Sequence, residues 1–152
     1  MNCCSVSLKG KTAVITGASR GIGKAIATRL ASQGANLVLA ARGQERLDAA
    51  VKELKDKYGV AVVGVSCDVG KIEDLKNLVN KAKSEFKQID YLVNVAGVSS
   101  QHPFHEQPIE DFEMLATTNY LGYVRLIRLV IPDMVARKEG HIINVDSGST
   151  LE

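Results

Sequence analysis

Short apolar runs alternate along the chain with longer stretches in which apolar residues return every three or four positions. That is the rhythm of buried strands and of helices packed on them by one face. Residues 12–15 are β-rich and run into Thr16-Gly17; from Gly21, the residues Ile22, Ala25, Ile26 and Leu30 recur at helical spacing until Gly34 stops them. Asn36–Ala41 predicts a second strand, and Leu47, Ala50, Val51 and Leu54 mark one face of a second helix. Residues 60–66 predict a third strand, followed by a helix lined by Ile72, Leu75, Val79, Ala82 and Phe86. Residues 91–95 predict strand four and the segment to Pro108 a loop. Helical periodicity fills 109–137 as two helices meeting near 117–120, with Pro132 expected to kink or end the second. Residues 141–145 predict strand five.

Strands that are apolar on both sides, each followed by a helix, require a parallel sheet covered on both faces. Right-handed crossovers then give an α/β fold, a Rossmann-like doubly wound parallel sheet. No linker, repeat or low-complexity stretch interrupts it, so residues 1–152 are expected to form a single domain.

Composition narrows the function. The chain is 45% hydrophobic and 24% charged, with a net charge of +2, which gives no bulk electrostatic pull toward nucleic acid or an anionic membrane. No apolar run is long enough to cross a bilayer, and residues 1–10 lack the basic start and apolar centre of a secretion signal. The cysteines Cys3, Cys4 and Cys67 make no disulfide framework, so a cytoplasmic location is expected. The helix-three lysines (Lys71, Lys76, Lys81, Lys83, Lys87) read as a solvated face.

The first strand leads straight into Thr16-Gly17-Ala18-Ser19-Arg20-Gly21-Ile22-Gly23, where a helix begins. Gly17 allows a tight turn, Gly21 removes a side chain where backbone must approach a diphosphate, and Gly23 lets the helix pack close to the strand. Free N–H groups and the dipole at the helix start favour phosphate. Ser19 reads as a hydrogen-bond donor of the loop.

Residues 16–23 resemble the glycine motif of the short-chain dehydrogenase/reductase family. In the same order, Asp68, followed by Val69, stands where the family has an aspartate contacting adenine. Asn94-Val95-Ala96-Gly97 is similar to the family's Asn-Asn-Ala-Gly, and Asn119-Tyr120-Leu121-Gly122 to its Asn-x-x-Gly. His141-Ile142-Ile143-Asn144-Val145-Asp146-Ser147 is similar to the strand that delivers the active-site serine. The resemblance implies cofactor contacts from Gly17, Ser19, Arg20, Gly21, Ile22, Gly23, Asp68, Val69, Asn94, Ala96 and Gly97. It implies catalytic duties for Ser147, which would hold the substrate oxygen, and for Asn119, which would hold a water on the proton path. Val95 departs from the family's second asparagine, and Asp146 from the serine common before the active-site serine.

The end of strand two reads Leu39-Ala40-Ala41-Arg42-Gly43, without the acid that would bind a free ribose 2′-hydroxyl. Arg42, helped by Arg20, offers a guanidinium fork to a 2′-phosphate, so the expected cofactor is NADP(H). The resemblance implies hydride transfer between nicotinamide and a small carbonyl or alcohol substrate, with self-association of the full-length protein. The family's Tyr-x-x-x-Lys does not occur. No tyrosine follows Ser147, and four places after Tyr58, Tyr91, Tyr120 and Tyr123 stand Val62, Val95, Val124 and Ile127. The expectation is therefore a fold truncated after its fifth strand, with that strand at an exposed edge prone to association and no turnover by the chain alone. A non-catalytic nucleotide- or partner-binding module is the alternative. His102 and His105 lack a convincing third ligand for a metal and read as lining a substrate entrance; Cys67 reads as core packing.

Overall fold

Valine, isoleucine, leucine and alanine fill successive positions of the strands, so each strand has an apolar side chain for both faces of the sheet. The computed structural model describes residues 7–100 and 102–146; Ser147, Cys3 and Cys4 lie outside the described residues. In chain order the elements are β1 (Thr12–Thr16), α1 (Gly21–Ser32), β2 (Asn36–Ala41), α2 (Gln44–Tyr58), β3 (Val62–Ser66), α3 (Ile72–Phe86) and β4 (Tyr91–Asn94). They continue with α4 (Ile109–Leu115), a π-helical segment (Ala116–Leu121), α5 (Gly122–Arg137) and β5 (His141–Asn144).

The strands form one sheet in the order β3-β2-β1-β4-β5, every neighbouring pair parallel. Ile15 pairs with Leu39 on one side and Val93 on the other. Ala13, Ile15, Leu37 and Leu39 pack on one face with Ala27, Ala31, Leu47 and Leu54 of α1 and α2. Val14, Val38 and Ala40 pack on the other with Leu75 and Val79 of α3 and Leu126 and Val130 of α5. This is the doubly wound arrangement the strand–helix alternation requires.

Several boundaries differ from the periodicity. β3 begins at Val62 because α2 ends on Gly59 in the left-handed region (φ 65°), leaving Val60 and Ala61 to carry the chain back to the sheet. β4 stops at Asn94 because the Val95 N–H turns to the Thr16 hydroxyl instead of a neighbouring strand. β5 stops at Asn144, with Val145 N still donating to Asn94 O. Helices four and five do not meet at a break: the π-helical segment joins them without interruption. Pro132 does not end α5, which continues to Arg137. It lies on the exposed side, where water can take the carbonyl that a missing N–H leaves.

On α1 the buried seam is Gly23, Ala27 and Ala31, with Ile26 and Leu30 partly buried against the core, while Ile22 and Ala25 are exposed. Ile22 is 62% exposed. Helix and sheet come so close that only the smallest residues fit between them.

At the far end of the sheet from the glycine turn, Asp90 is 2% exposed and fully engaged. Thr12 N donates to its Oδ2 at 2.9 Å, while Gln88 Nε2 and Arg137 Nη1 donate to its Oδ1 at 2.8 and 3.2 Å. Arg137 Nη2 also donates to Ile89 O at 2.7 Å. This carboxylate fastens β1 and β4 to the end of α5. β5 lies at the sheet edge, with Ile143 46% exposed. Among the described residues no helix is long and apolar enough to cross a membrane.

Candidate functional site

The chain leaves β1 toward β2 and later returns on its other side as β4, so the carboxyl ends of β1 and β4 part at a topological switch point, where such sheets bind ligands. The β1–α1 turn fills one wall of that crevice. Gly17 and Gly21 sit at φ 65° and 54°, the left-handed region that favours glycine. A side chain on Gly17 would stand 3.0 Å from the backbone of Ala96. The turn is thus pressed against the segment that follows β4, and Thr16 fastens the two: its buried hydroxyl accepts from Val95 N at 3.0 Å and Ala96 N at 3.1 Å.

α1 starts with an uncommon N-cap. Arg20 occupies the position in extended conformation, and no side chain caps the helix. Serine, threonine, asparagine or aspartate would normally satisfy the first N–H groups. Here, as at α2 and α3, no side chain takes those donors. Gly23 closes the turn from behind, where a Cβ would come within 2.3 Å of Gly17 O.

Around this turn lies an open cleft of about 580 Å³. Of the residues singled out in the sequence, Gly17, Ser19, Arg20, Gly21, Ile22, Gly23, Arg42, Asp68, Val69, Ala96 and Gly97 all line it. Exposed Ile22, displaced from the core, forms part of the wall. Asp68 is held in place: its Oδ1 accepts from Gly70 N at 3.0 Å, and its own N–H donates to Asp74 Oδ2 at 2.9 Å.

Two predicted residues are engaged elsewhere. Asn94 is fully buried, its Nδ2 donating to Asn144 Oδ1 at 2.9 Å across the β4–β5 pair; it supports the cleft from beneath and does not line it. Asn119, in the π-helical segment, accepts from Val98 N at 2.9 Å and donates to Val98 O at 2.8 Å, clamping the loop after β4. Ser147, the other candidate, is outside the described residues. Tyr123 donates to Val145 O at 3.3 Å; burial, and then the Asp146 charge, raise its phenol above the ordinary value. His102 and His105 do not line the cleft. His102 sits 3.1 Å from Ser100 Oγ, and Ser100 donates to Asp111 at 3.0 Å.

Sequence reasoning missed Arg46, Thr118 and the clamping role of Thr16. Arg46 and Thr118 line the cleft, but their direction follows from how α2 and the π-helical segment are turned, which no local pattern reports. Thr16 did carry a signal, a polar residue ending an otherwise apolar strand just before the turn glycine.

Cys67 also lines the cleft yet is only 2% exposed. Burial, then the charges of Asp74 and Asp68, push its thiol from 9.0 up to about 12. Cys67 of the folded protein at pH 8 is therefore expected to resist a thiolate-selective disulfide reagent that labels it readily in the unfolded chain. From pH 9 toward 12 the unfolded thiol gives up its proton first, so this group's contribution to stability falls as pH rises. Denaturation curves of wild type and Cys67→Ala across that range check the sign; the variant should lose less.

Residues 11–152 match the short chain dehydrogenase family. An uncharacterised oxidoreductase of Staphylococcus saprophyticus is 40% identical over 147 residues, covering 97% of this chain and 63% of that protein. The structure of L-sorbose reductase from Gluconobacter frateurii, complexed with NADPH and L-sorbose, superposes with a TM-score of 0.92 at 39% identity, over 97% of this chain and 56% of that one. A 7α-hydroxysteroid dehydrogenase complexed with NADH and 7-oxo glycochenodeoxycholic acid gives a TM-score of 0.93 at 32% identity, over 100% of this chain and 59% of that one. The chain thus spans between half and two thirds of the length of these relatives.

Proposed function

The chain belongs to the short chain dehydrogenase family, and from that premise we propose that it is the cofactor-binding part of an NADP(H)-dependent oxidoreductase acting on a small carbonyl or alcohol. The observation that carries this reading is the cradle at residues 17–23. Its turn is built from glycines whose side chains would strike backbone or fall in the left-handed region, and its helix start is uncapped. The residues present fit a dinucleotide. Backbone N–H groups of the turn take the diphosphate. Asp68 keeps an acceptor for the adenine amino group, with Val69 against the ring. Ala96 and Gly97 leave room along the end of β4, Asn94 holds that end in register, and Ile22 adds apolar wall.

The bound cofactor supplies the hydride chemistry; the protein orients it and manages the proton. Asn119 fixes the backbone of Val98 and so the loop bordering the reacting end. Ser147 takes the substrate oxygen in this reading, by its place in the family's serine motif. Self-association of the full-length protein and a reducing, cytoplasmic setting, consistent with the free buried Cys67, belong to the same proposal.

Arg20 and Arg42 line the cleft with no carboxylate at the end of β2, which supports NADP(H) over NAD(H). Arg42→Asp is expected to swing the ratio of NADPH to NADH affinity toward NADH by roughly 10- to 100-fold, since each charge-assisted hydrogen bond contributes about 1.5–3 kcal/mol. Fluorescence titration of both cofactors measures it. An unchanged ratio sinks the cofactor assignment, and failure of wild type to bind either cofactor sinks the function.

A further inference from the structure

We infer that Arg125, near the start of α5, is a positioning residue for adenine recognition: it fixes the turn that carries Asp68 and so aims that carboxylate at the base. This rests on the reading that the cleft holds the adenosine of NADP(H). The turn, residues 68–71, joins β3 to α3. Its own hydrogen bonds stay local. Gly70 N donates to Asp68 Oδ1 at 3.0 Å, Lys71 N to Asp68 O at 2.9 Å, and Asp68 N to Asp74 Oδ2 at 2.9 Å. They give the turn its shape without fixing where it sits. Among the described residues one hydrogen bond reaches it from another element: Arg125 Nη1 donates to Gly70 O at 3.1 Å.

The fold explains why that side chain arrives there. Leu126 is fully buried against the sheet, and Arg125 lies about 100° away round the helix. It belongs to the stripe Arg125, Leu129 and Asp133 on the side of α3, where Asp133 pairs with Lys83. The acids that open α3 are already engaged, Glu73 with Lys76 at 2.7 Å and Asp74 with Asp68 N. The guanidinium therefore meets a carbonyl. Packing brings the turn within its reach: a Cβ on Gly122 would stand 2.9 Å from Val69 O, and one on Gly70 3.4 Å from Thr117 Cγ2.

The bond matters because Gly70 faces both ways. Its carbonyl is held by Arg125 and its N–H holds Asp68 Oδ1, so a chain of three groups runs from α5 to the cleft. Asp68 Oδ2 has no protein partner among the described residues and is the acceptor left for the exocyclic amino group of adenine. A charged donor makes the first link stronger than a neutral one. Without it the turn keeps its shape and loses its orientation, and the carboxylate no longer faces the amino group. A 6-oxo purine presents a carbonyl oxygen at that position, which a fixed carboxylate repels.

The test is fluorescence titration of the chain with NADPH and with its 6-oxo analogue, in which hypoxanthine replaces adenine. Wild type should prefer NADPH by roughly tenfold or more. Arg125→Met, which keeps the apolar stem and removes every donor, should bring the two affinities within about twofold of each other. Arg125→Lys, still a charged donor, should fall between it and wild type, and Arg125→Ala serves where Arg125→Met does not fold. A general loosening of the fold lowers both affinities alike and leaves their ratio alone. Arg128→Ala, which removes the same charge from the exposed side of α5, should keep the wild-type ratio. The inference is overturned if Arg125→Met keeps that ratio, or if Arg125→Lys discriminates no better than Arg125→Met. Wild type binding both ligands alike overturns the aim given to Asp68, and the inference with it, while NADP(H) binding stands; wild type binding neither overturns the reading of the cleft.

Discussion

Gly23→Ala is expected to remove NADPH binding and to destabilise the fold, although it adds a single methyl group. The new Cβ would lie 2.3 Å from Gly17 O, 2.8 Å from Gly17 C and 3.1 Å from Ala18 Cα, all backbone atoms. No rotamer change relieves such contacts. Gly17 has little room to retreat, because even a Cβ placed on it would stand 3.0 Å from the Ala96 backbone. The start of α1 must therefore swing outward, taking its free N–H groups off the diphosphate. Overpacking of this kind costs roughly 1–3 kcal/mol and occasionally more, and the upper end applies where both partners are main chain. At about 2–4 °C per kcal/mol for a domain of this size, the melting midpoint should fall by roughly 5–10 °C, with NADPH affinity down at least about tenfold. Gly21→Ala is the informative contrast: it adds left-handed strain in open space without a clash, and should cost the fold less. A Gly23→Ala protein that melts and binds like wild type would remove the steric basis of the cradle.

Asp90→Ala should produce the largest purely structural loss. Removing one member of a buried ion pair costs about 3–5 kcal/mol because the other charge stays desolvated, and here Thr12 N and Gln88 Nε2 lose their acceptor as well. Arg137 is only partly exposed, which limits how much water can compensate. Urea denaturation of the variant should show the shift, while the NADPH to NADH preference of the folded fraction stays at the wild-type value, since Asp90 lies at the opposite end of the strands from the cleft. A loss below about 1 kcal/mol, the range of exposed pairs, would show that the carboxylate is not the fastener proposed.

The sheet was legible because burial on both faces leaves strands such as Asn36–Ala41 almost uniformly apolar, and the helices between them repeat at 3.6. The glycine turn was legible because left-handed φ at Gly17 and Gly21, and backbone where a Cβ would stand at Gly17 and Gly23, admit few other residues. What escaped depended on contacts between distant segments. Ile22 read as core because hydrophobicity scales reward bulk, whereas the close approach of α1 selects Gly23, Ala27 and Ala31. Asn94 read as a cofactor contact because its motif borders the cleft, yet its side chain pairs with Asn144, fifty residues away. Arg46 was passed over because an arginine in a helical run looks like solvated surface until the start of α2 is placed beside the cleft.

The π-helical turn has a consequence for how long this part of the polypeptide is allowed to be. Its widened coil takes up a residue that a regular helix would spend on rotation, about 100° per position. Within it, Asn119 must meet Val98; downstream, Gly122 must seat against Val69, whose carbonyl oxygen would lie 2.9 Å from a Cβ there. Leu126, Val130 and Met134 must then all point at the sheet. Drop or add one amino acid in this stretch and the second helix spins by more than a quarter revolution, turning Ile127, Ile131 and Val135 toward the sheet on a loss and Arg125, Leu129 and Asp133 on a gain. Residue count between Pro108 and Arg137 is thus under the same steric discipline as residue identity at Gly23.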